Sequence, residues 1–104
     1  MQLTLESGKI IANPSHEEIA RCLPAEEFAI LSDGPDSYTY LQVGERKEPP
    51  WDLILEYQVD STDNHFRAIN TPLTMEAVII AFQKYARGDA SWKTNFRWER
   101  MELK

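Results

Sequence analysis

Asp60, Asp63 and His65 bring two carboxylates and an imidazole within six residues, in the pattern D-x-x-D-x-H. Carboxylate oxygens and histidine nitrogens are ligands for divalent metals, so this spacing could hold a cation. An EF-hand calcium loop is excluded, because His65 and Thr71 occupy the sixth and twelfth positions, where such a loop needs glycine and glutamate. The pattern is more typical of a solvated turn whose polar side chains bond to their own backbone. We therefore expect no metal and no cofactor.

The same turn ends a longer acidic stretch, residues 45–63, in which six acids are offset by only two bases. The segment WDLILEYQ (51–58) alternates like a strand, which puts Asp52 and Glu56 opposite its apolar side, facing solvent or a partner. As general acid and base they lack a neighbouring nucleophile. The stretch indicates either an acidic protein-binding patch or a solvated face that discourages aggregation. The candidate partner-binding residues are Glu45, Glu48, Asp52, Glu56, Asp60, Asp63, His65 and, separately, Trp92.

Trp92 and Trp98 both lie in the segment GDASWKTNFRWER, residues 88–100. Trp98 alternates with Phe96 and is expected to pack in the core. Trp92 falls in the connection between a helix and a strand, where the pattern does not require burial. It is either a plug over the end of the helix or an exposed contact residue.

The motifs of common catalytic sites are missing from the sequence: a phosphate-binding glycine loop, G-x-S-x-G, H-E-x-x-H and C-x-x-C. The single cysteine, Cys22, excludes an intrachain disulfide and a multi-cysteine zinc site, and favours a reducing compartment. A formal charge of −6 disfavours nucleic acid as a partner. No apolar run approaches the length of a membrane span, and the N-terminus lacks the features of a signal peptide. We expect a cytoplasmic protein that is not an enzyme.

The elements that position these residues can be predicted from periodicity and capping signals. LTLESGKIIA (3–12) predicts two short extended segments around Ser7-Gly8, either a hairpin or a bent strand, and Ser15 with Glu18 predicts a capping box that begins a short helix, which Pro24 ends. Four strands of an antiparallel meander follow, separated by polar turns that include GERKEPP (44–50) and VDSTDN (59–64). Their segments are EFAILS (27–32), SYTYLQV (37–43), WDLILEYQ (51–58) and HFRAI (65–69).

A long helix is predicted after the meander, with Thr74 as N-cap and Gly88 as the left-handed residue at its end. Its apolar stripe recurs at helical spacing, and NFRWERM (95–101) returns to the alternation of a final strand. We predict one α+β domain spanning residues 1–104, in the order β(β)-α-β-β-β-β-α-β, with two helices packed on one face of a mainly antiparallel sheet of five to six strands. The stripe consists of Met75, Val78, Ile79, Phe82 and Tyr85.

The succession ANPSHEEI, LQVGE, LILEYQ, HFRA and TMEAVIIAFQKYARGDASWKTNFRWE resembles small bacterial proteins grouped with the immunity proteins of polymorphic and contact-dependent toxin systems. The similarity covers roughly residues 10–99 and consists of apolar and aromatic positions. It implies a cytoplasmic protein that binds one cognate toxin, blocks its active site or an exosite, and does no chemistry itself. An acidic chain would suit a basic nuclease toxin, because opposite charges raise the association rate. The resemblance assigns no site residues.

Two further hypotheses remain open from the sequence. The chain could be a structural or regulatory protein that forms a homodimer through a sheet edge or an exposed aromatic patch. It could also be a small enzyme or ligand binder with a concave face lined by Tyr38, Tyr40 and Trp51. A mass that rises with concentration favours the first, and a deep pocket holding perturbed carboxylates favours the second.

Overall fold

A computed structural model describes residues 1–34, 37–45, 53–69 and 73–101 of the chain. Within this part the chain forms an α+β fold in which a seven-stranded antiparallel sheet, ordered β2-β1-β3-β4-β5-β6-β7, carries two α-helices. The class and element order are confirmed, while the sheet has more strands than the five to six predicted, because both arms of the first hairpin join it. The elements are β1 Gln2–Leu5, β2 Ile10–Ala12, α1 His16–Cys22, β3 Phe28–Ser32, β4 Tyr40–Glu45, β5 Leu53–Val59, β6 Ser61–Ala68, α2 Met75–Ala86 and β7 Trp98–Met101.

The first hairpin and the first helix form where the local signals place them. Gly8 has a φ of 92°, which only glycine adopts readily, and the backbone N–H of Leu5 donates to Lys9 across the turn at 2.9 Å. In the capping box, Ser15 Oγ accepts from the backbone of Glu18 at 3.1 Å, and the Glu18 carboxylate accepts from the backbone of Ser15 at 3.0 Å. These bonds lower the pKa of Glu18. Of the two alternatives for residues 3–12 the structure forms the hairpin, and the predicted capping box is confirmed.

The turn between β5 and β6 is much tighter than the predicted loop over 59–64. The chain reverses at Asp60, whose φ is 64°, and β6 begins at Ser61 after a register shift between Gln58 and Val59. Asn64 Nδ2 donates to the carbonyl of Val59 at 3.2 Å, which ties the polar start of β6 to the end of β5. The polar composition of the segment 59–64 led to the prediction of a loop. Most of the segment belongs to β6 instead, because the end of a hairpin can be solvated and still be extended.

The structure also changes the bounds of the neighbouring strands. β4 runs from Tyr40 to Glu45, so it begins later and ends later than the predicted segment 37–43. The rest of the predicted loop 44–50 and the start of the predicted strand 51–58 lie outside the described residues.

The long helix α2 begins and ends as predicted. Thr74 Oγ1 accepts from the backbone of Ala77 at 3.1 Å, and Gly88 has a φ of 76° just beyond the helix. Val78 and Phe82 from the predicted stripe are fully buried. This face packs against α1 and β4, so the two helices and one face of the sheet enclose a single core. Among the residues that the structure describes, the buried apolar ones are Leu3, Leu5, Ile19, Leu23, Ala29, Leu31, Leu41, Val43, Leu55, Tyr57, Ala68, Leu73, Val78, Ala81, Phe82 and Phe96.

The left-handed backbone at the end of α2 makes Gly88 sensitive to substitution. We expect Gly88→Ala to lower the free energy of unfolding by about 1 kcal/mol, because an L-residue is strained in this region. Gly34→Ala is the matched control, since Gly34 lies outside the left-handed region and has open space where a Cβ would be added. Urea denaturation of both variants checks the prediction, which is wrong if the two alanines have the same effect.

Candidate functional site

The sheet has a second face, turned away from α1 and α2, on which polar side chains gather. Cross-strand partners share a face, so the register of the ladder identifies the members. The row that crosses the centre of this face changes from apolar side chains on β3 to charged ones on β6 and β7. Its members are Ile30, Gln42, Glu56, Arg67 and Glu99, and the adjacent row holds Ser32, Tyr40, Gln58, His65 and Met101.

A hydrogen-bonded group at the centre of this second face, here called the polar network, consists of Tyr40, Glu56, Gln58, His65 and Arg67. His65 Nε2 lies 2.5 Å from Oε1 of Glu56, and His65 Nδ1 lies 3.1 Å from Oε1 of Gln58. His65 is only 3% exposed and the side chain of Glu56 only 13%. The network therefore holds a carboxylate and an imidazole largely out of water.

Gln58 connects the network to the turn between β3 and β4. Its Nε2 donates to the backbone carbonyl of Tyr38 at 2.8 Å, and its Oε1 accepts from the hydroxyl of Tyr40 at 3.3 Å. The Tyr40 ring also stands edge-on to His65, with centroids 6.2 Å apart. Burial, with a smaller contribution from the negative charge of Glu56, raises the pKa of Tyr40. Tyr40 therefore stays a neutral donor at physiological pH.

Arg67 forms the charged border of the network. One of its terminal nitrogens lies 3.6 Å from Oε2 of Glu56, and its cross-strand partner on β7 is Glu99. Its Nε is buried and has no hydrogen-bond partner in the described part of the chain. Glu56 is therefore shared between a buried ring and a partly exposed guanidinium.

The structure places the residues of the predicted acidic stretch in different surroundings. Glu56 does lie opposite Leu55 and Tyr57, but it faces His65 and Arg67 instead of solvent, so the expected exposure is wrong for this residue. Asp60, Asp63 and His65 form no group that could hold a metal ion, because the backbone reverses at Asp60 and His65 turns into the network. Glu45 ends β4, and Glu48 and Asp52 lie outside the described residues.

Gln58 and Arg67 were not among the residues that the sequence singled out, and Tyr40 was named only as part of a concave ligand-binding face. The alternation of Glu56 and Gln58 on one strand was a usable signal, since it places two polar side chains on the same side. Their partners on β6 could not be predicted, because the register shift after Gln58 decides which residues lie opposite. Of the residues predicted to line a concave face, Tyr40 is hydrogen-bonded within the polar network, and Trp51 lies outside the described residues.

Trp92 packs in an aromatic cluster on the helix-covered face. Its ring meets Tyr57, Tyr85 and Trp98 edge to face, with centroids 5.0, 5.2 and 5.8 Å apart. A 3₁₀ turn over Ala90–Lys93, which was not predicted, sets this orientation, and Asp89 caps it by accepting from the backbone of Ser91 at 3.0 Å. Of the two alternatives for Trp92, this packing agrees with a plug over the end of the helix. Only part of the Trp92 ring reaches solvent.

Tyr85 in this cluster is expected to make the free energy of unfolding depend on pH in the alkaline range. Burial, with a smaller contribution from the Asp33 carboxylate, raises its pKa to about 12, above the ordinary value near 10 expected in the unfolded chain. Its contribution to stability is therefore complete below about pH 10 and is lost as the pH rises toward 12. We expect the free energy of unfolding to fall less steeply above pH 10 in Tyr85→Phe than in the wild type. Urea denaturation across this range checks it, and identical slopes would contradict it.

A surface here called the tip patch lies where the β3–β4 and β5–β6 turns meet. Asp60 joins the turns, because its backbone N–H donates to Thr39 Oγ1 at 2.9 Å and its carboxylate accepts from the same hydroxyl at 3.3 Å. Tyr38 beside Thr39 is 65% exposed, and Val59 beside Asp60 is 41% exposed. The tip patch consists of Tyr38, Val59 and Asp60, together with the exposed Asp63 near the start of β6, whose backbone carbonyl accepts from Arg100 Nε at 2.8 Å.

None of the family models, curated proteins or solved structures compared with the chain matches it. Neither α1 nor α2 is long and apolar enough to cross a membrane, as judged over the described ranges.

Proposed function

We propose that this chain is a non-catalytic protein-binding module of the immunity or inhibitor type, which binds and neutralises a basic bacterial toxin domain through its tip patch. The observation that carries the proposal is the exposure of Tyr38 and Val59 at the junction that Asp60 forms between the two turns, with Asp63 exposed on the same hairpin. An exposed aromatic ring with an aliphatic neighbour supplies apolar contact area, and tyrosine is enriched at protein interfaces. The carboxylates and the overall charge of −6 would attract a cationic partner.

The tip patch is also held in a fixed shape before any partner arrives. Asp60 bonds to Thr39 at two atoms, and the carbonyl of Tyr38 accepts from the buried amide of Gln58. A preorganised surface loses less conformational entropy on binding than a loose one. This rigidity supports a role in recognition.

The hydrogen bonds and burial of the acid–base groups support the proposal that the chain is not a catalyst. Both ring nitrogens of His65 are engaged by Glu56 and Gln58, and the ring is almost fully buried. A general base needs a free nitrogen or oxygen within reach of the substrate proton. The polar network therefore fits a role in holding strands together better than a role in proton transfer.

The test is capture from the source lysate, followed by the affinity of the purified partner for two charge-reversal variants. We expect Asp63→Lys to weaken binding at least about tenfold, because it reverses a charge in the tip patch. Glu6→Lys is the matched control, since it makes the same charge change in the exposed β1–β2 turn at the other end of the sheet. If the two variants weaken partner binding equally, the attraction depends on net charge alone, and the tip patch is not the binding surface. Glu56 is not a suitable position, because lysine there would disrupt the polar network.

A homo-oligomer is the alternative function, and one observation favours it. Ile10 on the edge strand β2 is 58% exposed, so an apolar side chain lies beside a sheet edge that has no further strand in the described structure. In this case capture yields no foreign protein, and sedimentation shows a mass that rises with concentration and falls back in Ile10→Lys.

A further inference from the structure

His65 has an acceptor oxygen opposite each of its ring nitrogens. Oε1 of Gln58 lies opposite Nδ1, and Oε1 of Glu56 lies opposite Nε2. The orientation of the Gln58 amide follows from its other bond, because Nε2 donates to the carbonyl of Tyr38, and a flipped amide would set two oxygens against each other. Hydrogen bonds at both ring nitrogens therefore need two protons, whereas a neutral imidazole carries one.

We infer that His65 is a buried imidazolium in the native state, paired with the Glu56 carboxylate. Its second proton acts as a pH-sensitive latch on the second face of the sheet, because it holds His65 against Glu56 at lower pH and is lost at higher pH. With the ring protonated, the charges of His65 and Arg67 balance those of Glu56 and Glu99. Met101, the cross-strand partner of His65 on β7, adds no charge. The titratable or charged groups that surround the ring in the described structure are Tyr40 from β4, Glu56 from β5, Arg67 from β6 and, opposite Arg67, Glu99 from β7.

Loss of the second proton would place the lone pair of Nε2 against a carboxylate oxygen of Glu56. Two facing acceptors repel, and at 3% exposure the ring has little access to water that could separate them. Deprotonation therefore favours a state in which His65 moves away from Glu56 and its hydrogen bond to Gln58 is loosened. Stability gained from the proton is present at lower pH and is lost as the pH rises, because the folded state binds that proton and the unfolded chain releases it.

The latch would release two turns together. Gln58 and His65 face each other just before the register shift at Val59, so they close the regular part of the β5–β6 ladder. Gln58 also holds the carbonyl of Tyr38 in the β3–β4 turn. The latch is a property of the free chain and goes beyond the proposed function; only its effect on partner binding through Tyr38 would rest on that function.

Nitrogen-15 NMR of the histidine rings in the 104-residue chain tests the inference directly. At pH 7.5 we expect both ring nitrogens of His65 to show the chemical shifts of protonated nitrogens. The chain unfolded in urea at the same pH is the reference, since free histidine ionises near pH 6.5. A native spectrum in which one ring nitrogen of His65 is unprotonated would overturn the inference.

The variant Glu56→Gln separates the latch from a merely structural contact. A glutamine amide can donate to Nε2 of a neutral ring, so this variant keeps the hydrogen bond without the second proton. Between pH 6.5 and 9 we expect amide exchange protection over residues 58–66, corrected for intrinsic exchange, to fall about tenfold in the wild type and to stay nearly constant in the variant.

The same pH dependence in both proteins, or none in the wild type, would contradict the latch. If the variant fails to fold, the ring shifts of the wild type decide the question. Partner binding is measured in neither experiment, so failure of the latch leaves the proposed function to its own test.

Discussion

We expect Phe82→Ala to lower the free energy of unfolding by about 4 kcal/mol, within the range for phenylalanines removed from a core. Phe82 is fully buried on α2, one turn beyond Val78, where the helix packs against the sheet. Truncation removes the transfer free energy of the ring and leaves a cavity that the surrounding strands and helices can fill only partly. Urea denaturation followed by far-ultraviolet circular dichroism measures the loss.

Ile80→Ala on the same helix is the control for this prediction. Ile80 is 41% exposed, so its truncation removes less buried surface, and alanine favours the helix. We expect a loss below about 1 kcal/mol. If Ile80→Ala and Phe82→Ala destabilise the chain equally, the assignment of the buried face of α2 is wrong.

The second large effect is expected for Glu56→Ala, at about 3 kcal/mol. Removing one partner of a largely buried ion pair leaves the other without compensation, and that cost is larger than the value of an exposed salt bridge. Here His65 would lose the carboxylate at Nε2, and Arg67 would lose the carboxylate oxygen that lies 3.6 Å from its guanidinium. Denaturation at pH 6.5 measures the change, with Glu6→Ala in the exposed β1–β2 turn as a control expected within about 0.5 kcal/mol.

A double-mutant cycle tests whether the effect comes from the pair itself. Glu56→Ala and His65→Ala should be non-additive by more than about 1 kcal/mol, because each removes the same contact. Additive losses would show that the two side chains stabilise the sheet independently, and would contradict the polar network as a unit.

Local signals in the sequence predicted those parts of the fold that depend on local chemistry. The capping box at Ser15, the N-cap at Thr74 and the left-handed Gly88 each need only a few neighbouring residues, and all three are confirmed. Alternation likewise identified the buried side of β5. These features are predictable because the physical cause lies within one turn of helix or one strand.

The polar network depends on pairing between strands and was not predictable in the same way. Whether His65 lies opposite Gln58 depends on the shift at Val59, and a slip of one residue would turn the ring toward the helices. For the same reason Glu56 could be assigned to a face but not to a partner. Trp92 stayed ambiguous because the short 3₁₀ turn that directs it has no periodic pattern.

The order of strands in the sheet has a consequence for how the chain can assemble. β3, β4, β5 and β6 are neighbours both along the chain and in space, so the loops that their pairing closes are short and cost little entropy. β7 joins β6 only after the chain has passed through the whole of α2, and β1 reaches β3 across α1. Contact order is therefore low within the β1–β2 hairpin and within the four central strands, and higher where β1 joins β3 and β7 joins β6, which favours formation of these local units before they are joined.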